Sequence, residues 1–133
     1  MAVAAPEQDG DVELVFDHDN LFDEEVPYPE RYAQWKGAAA REKVLRYEPP
    51  HLLAFSWDGG AEGVATFELS DLGGRTRLVL VHSGISGPAG MADFGGGWMA
   101  HLAVLEARIA GRGVDDFWAL HRHLEKTVQA ALR

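Results

Sequence analysis

The chain has no cysteine, which excludes disulfides, thiolate nucleophiles and cysteine-ligated zinc. It also has no apolar run of membrane-spanning length, and its first residues, MAVAAPEQDG, lack the basic start and long apolar core of a secretory signal. Basic residues are scarce, with 12 Lys and Arg against 21 Asp and Glu and a formal net charge of −9. Phosphate contacts need clustered Lys and Arg, and no cluster is present, so neither nucleic acid nor membrane is an expected partner. A cytoplasmic location is the expectation. Neither GxxxxGK[ST] nor GxGxxG after a strand occurs, so the glycines read as turns rather than phosphate cradles. No cofactor is expected.

What is present is ordinary for a globular protein: 133 residues, 47% apolar and 25% charged. That length supports one domain, here placed at 11–133 behind a flexible start at 1–10. The stretch Phe94 to Gly111 organises the rest. Trp98, Leu102, Leu105 and Ile109 recur at helical spacing, with Glu106 and Arg108 on the opposite face. Glycines at 95–97 and at Gly111 punctuate this predicted helix.

Everything upstream reads as strands. Val12, Leu14 and Phe16 alternate, and a second strand spans Arg41 to Tyr47 before Pro49-Pro50 ends it. His51 to Trp57 places Leu53, Phe55 and Trp57 on one face. Val64 to Leu69 places Ala65, Phe67 and Leu69 together, and the next strand does so for Thr76, Leu78, Leu80 and His82. Short Gly-rich turns join these strands, which predicts an antiparallel meander. The tail from Val114 reads as a second helix. Strands followed by helices give an α+β class, with the sheet packed on the long helix.

Candidate chemistry is sparse. Asp17, Asp19, Asp23 and Glu24 lie in an acidic connection, but their spacing does not follow an EF-hand loop. His82 and Ser83 are neighbours on a strand and point to opposite faces, so they form no nucleophile and base pair. His121 and His123 are two apart on a helix, not the i, i+4 pair of zinc helices.

The segments EPPHLLAFSW (48–57), VATFELSD (64–71), TRLVLVHSG (76–84) and GGWMAHLAVLEARIAG (96–111), with the tail FWALHRHLEK, resemble the SRPBCC superfamily of START-like and Bet v 1-like proteins. Within it they are similar to the bacterial branch named after the activator of Hsp90 ATPase. The resemblance implies a helix-grip fold, a curved antiparallel sheet around a long C-terminal helix with an additional terminal helix. It also implies an apolar cavity between sheet and helix. Leu53, Phe55, Trp57, Phe67, Leu69, Leu78, Leu80 and His82 would line it from the sheet, and Trp98, His101, Leu102 and Leu105 from the helix. The implied function is non-catalytic binding of a small hydrophobic molecule. The alternatives are a polyketide cyclase or hydrolase using His82, or a chaperone partner that activates an Hsp90-type ATPase. Members usually carry a further strand and two short helices ahead of the strand at Val12. The residues before Asp11 are too few to supply them, so an N-terminal truncation or a misassigned start is expected. A truncated chain would expose a strand edge and apolar surface and should dimerise, bind another molecule or aggregate, which puts a homodimer among the expected partners.

Overall fold

The computed structural model describes residues 2–4, 7–16 and 28–132. The acidic quartet Asp17, Asp19, Asp23 and Glu24 lies outside the described residues. The chain divides into two compact units, one of Met1–Val15 with Ala39–Ile85, the other of Phe16–Ala38 with Ser86–Arg133.

The first unit is a six-stranded antiparallel sheet in chain order: β1 (Ala2–Ala4), β2 (Asp11–Val15), β3 (Ala39–Glu48), β4 (Leu52–Ser56), β5 (Val64–Asp71) and β6 (Thr76–Ser83). The predicted meander is therefore present, joined by β1, a short strand for which the sequence carries no periodic signal. Pairing shifts register between Val44 and Arg46 on β3. This bulge lets Val44 pair with Phe55 and Tyr47 with Leu53, three residues apart on one strand and two on the other. Val12, Val44, Ala54, Phe55 and Ala65 are buried. Between β4 and β5 the chain turns through a single 3₁₀ turn at Asp58–Gly60. Gly63 then sits at φ +81°, where a Cβ would lie 1.7 Å from the Ser83 carbonyl oxygen. Only glycine fits there.

One carboxylate is buried in this unit. Glu42 is 4% exposed and accepts hydrogen bonds from the Ser56 hydroxyl at 2.6 Å and from the Gly59 N–H at 3.2 Å. Ser56 Oγ accepts in turn from the Lys43 N–H at 3.0 Å. The charge is thus solvated by fixed donors that tie β3 to the turn after β4.

The second unit is helical: α1 (Glu30–Ala33), α2 (Gly87–Ile109) and α3 (Phe117–Ala131). No described helix is long and apolar enough to cross a membrane. Helix α2 starts seven residues before the predicted Phe94, with Pro88 in its first turn and Gly95, Gly96 and Gly97 well inside it. The reason is packing. A Cβ on Gly96 would lie 2.8 Å from the Glu125 Cα of α3, so glycine here permits close helix approach rather than ending the helix. The predicted C-terminal stop holds, with Gly111 at φ +72° just beyond Ala110.

The buried stripe of α2 also differs from the predicted one. Ala92, Gly96, Ala100, Val104 and Ala107 are buried, whereas Leu105 is 46% and Ile109 79% exposed. Bulk is supplied from α3 instead: Phe117 and Trp118 pack with Ala100 and Val104 in one core cluster, with Tyr28, Tyr32, Val114, Leu120 and Leu124 around it. Small residues on one helix facing large ones on the other keep the pair close and dense. Asp116 caps α3 by accepting the Ala119 N–H at 3.0 Å.

Candidate functional site

Strand register settles the facing of the sheet residues. Leu53 pairs with Phe67 and Phe67 with Leu80; Phe55 pairs with Ala65 and Ala65 with His82; Leu69 pairs with Leu78. Directly paired residues share a face, and so do alternate residues along a strand. Leu53, Phe55, Trp57, Phe67, Leu69, Leu78, Leu80 and His82 therefore form one continuous surface. Its aromatic centre is Phe55, with ring centroids 5.7 Å from Phe67 and 6.2 Å from Trp57. Phe55 is buried, Leu69 is 40% exposed, and the other six are half-buried.

His82 is the polar member of this face. Its Nε2 donates to the Glu62 carbonyl oxygen at 2.7 Å, and its ring lies 5.6 Å from that of Trp57. A ring nitrogen committed to a backbone carbonyl anchors the turn before β5 to β6.

On α2, Trp98 and Leu102 are half-buried and Leu105 is exposed. His101 belongs to the helix-pair core. Its Nδ1 donates to the Gly97 carbonyl at 2.7 Å, and its ring meets Phe117 edge-on at 5.0 Å. Burial pushes its pKa down, which keeps it neutral.

A polar cluster in the helical unit has no counterpart in the sequence reading. Arg31 of α1 donates to Glu125 of α3 and to the Tyr32 hydroxyl, and that hydroxyl donates to Asp93 of α2. The Glu125 hydrogen bond raises the already high pKa of Arg31. Burial, reinforced by Asp93, pushes the Tyr32 phenol up, so it stays protonated and a donor. Beneath them His121 Nδ1 lies 3.7 Å from Glu125 Oε2. That nitrogen is buried and makes no hydrogen bond, and burial lowers the imidazole pKa. The Tyr32 ring stacks on Trp118 at 5.3 Å and 19°. Among the described residues no three His, Asp or Glu side chains gather as a metal site.

Residues 27–110 match the family model described as activator of Hsp90 ATPase homolog 1-like protein. The chain belongs to that family, within the SRPBCC superfamily. A protein of Bordetella parapertussis with a solution NMR structure is 39% identical, with a TM-score of 0.77, over 96% of this chain and 68% of that one. No curated protein matches. The α+β set of antiparallel strands, a long C-terminal helix and a further helix agrees with the helix-grip fold of this family. The family match takes in β3 to β6, α1 and α2, and stops short of α3. The polar cluster thus joins residues inside that window, Arg31, Tyr32 and Asp93, to two outside it, His121 and Glu125. Its one local signal in the sequence is the i, i+4 spacing of His121 and Glu125 on α3.

Proposed function

We propose that this protein is a non-catalytic binding module that takes a small hydrophobic ligand against the apolar face of its sheet. The supporting observation is the single surface of eight residues, seven on β4, β5 and β6 and Trp57 just after β4, carrying three aromatic rings and one histidine, only one of the eight fully buried. Apolar walls with few polar groups are the common form of small-molecule sites. The assigned family supports a binding role of this general kind. His82 is the polar group on this face. A cyclase or hydrolase using His82 as acid or base is less well supported, because Nε2 is committed to the backbone.

The test uses two aliphatics on opposite faces of the same sheet. Leu69 lies on the apolar face at 40% exposure, and Val81 on the other at 53%. Titration with the neutral probe N-phenyl-1-naphthylamine should give saturable binding that Leu69→Lys weakens roughly tenfold, as for a charge beside an apolar ligand. Val81→Lys should leave it unchanged. Equal loss in both, or no binding by the unsubstituted chain, overturns the proposal.

A further inference from the structure

A second candidate site lies in the helical unit, well apart in sequence from the sheet residues. A cleft of ≈ 660 Å³ between α1 and α3 is lined by Tyr32, Arg31 and Glu125 and by the exposed Arg122 and Lys126, with the buried Trp118 behind Tyr32. The size is that of a small-molecule pocket. Its charge is unusual for a chain of net charge −9. Arg31 and Glu125 neutralise each other through their ion pair. Arg122 and Lys126 stand one turn apart on α3 and, among the described residues, make no hydrogen bond or ion pair. Glu30 is the remaining lining carboxylate. Among the described lining residues one positive charge is left over, and Asp93 beside Arg31 offsets part of it. The exposed pair Arg122 and Lys126 therefore suits a monoanion rather than a doubly charged phosphate.

The walls select the rest of the ligand. Tyr32 is half-buried and stacks nearly parallel on the buried Trp118, which holds its ring in place, and Pro29 adds an apolar edge. Below them the His121 side chain is 7% exposed and its Nδ1 has no hydrogen bond. A buried polar atom without a partner costs free energy that a bound group can recover. The geometry points to a site for a small monocarboxylate with a flat apolar body, its carboxylate held by Arg122 and Lys126 and its ring against Tyr32 and Pro29. The Arg31–Glu125 pair fixes the cleft by tying α1 to α3. This site is independent of the sheet face and can fail without it.

The experiment is a titration of ¹⁵N-labelled full chain with 2-naphthoate, followed by amide and indole shifts. Arg122→Gln with Lys126→Gln serves as the loss variant, both positions being exposed. The expected result is saturable shifts at Arg31, Tyr32, the Trp118 indole and Gln129. Affinity should fall about tenfold in the double variant and about tenfold for the neutral 2-naphthalenemethanol, as charge-assisted contacts are lost. Shifts confined to the sheet residues, shifts unaffected by the double variant, equal binding of the alcohol, or equal binding of inorganic phosphate would each overturn the assignment.

Discussion

The two units are held together by different means. The sheet unit relies on a continuous hydrogen-bond ladder and a period-2 pattern in which neighbours in space are also near neighbours in sequence. In the helical unit the core depends on small residues of α2 meeting Phe117 and Trp118, and on an ion pair between Arg31 and Glu125, 94 residues apart. Local patterning can carry the first kind of order. Pairings that distant in sequence leave almost no local trace.

The largest expected effect tests which face of α2 is buried. Ala100 is fully buried and Leu102 only half-buried. Ala100→Asp places a carboxylate in the Phe117 and Trp118 cluster and should cost about 4 kcal/mol or leave the chain unfolded, whereas Leu102→Asp should cost about half that. Urea denaturation of both variants decides it. A larger loss at Leu102 would restore the large apolar face as the main buried surface of the helix.

Glycine substitutions sharpen the same contrast at a smaller scale. Gly96→Ala forces a Cβ onto the α3 backbone at Glu125, and should cost about 2 kcal/mol through overpacking. At Gly97 the nearest atom is His121 Nε2 at 3.5 Å, an ordinary contact. Gly97→Ala should therefore stabilise, by up to about 1 kcal/mol of helix propensity. Thermal melts of the two variants moving in the same direction would contradict the close-approach account.

The smallest effect is on pH dependence. His121 and His101 both have folded pKa values below the ordinary 6.5 because burial disfavours their charged forms. Asp93 and Glu125 face His121 and oppose that shift, while Arg31 and His101 reinforce it. The unfolded chain then binds more protons, so stability should fall as pH drops below 6.5 towards the depressed folded values, and be flat above. Between about pH 7.5 and 5.5 the urea midpoint of His121→Gln should fall less than that of the unsubstituted chain. Equal slopes would remove His121 from the account.

Much of the sheet was legible because alternation and Gly-rich turns specify strand faces without long-range information. All eight sheet residues picked from sequence share one surface for that reason. The helices were less so. Gly95 to Gly97 carry an intrinsic penalty that predicts a break, and tertiary packing of Gly96 against Glu125 overrides it. The large residues Leu105 and Ile109 suggested burial, but hydrophobicity alone does not say which face meets a partner. Arg31, Tyr32 and Asp93 carried no spacing signal at all, since their partners come from three separate helices.

The most direct test of the central claim is native mass spectrometry of the protein as purified, before and after organic extraction. The binding reading predicts an added mass from a small apolar compound, lost on extraction and regained when the extract is returned. A bare chain in both states, with no uptake of returned extract or of N-phenyl-1-naphthylamine, would contradict it.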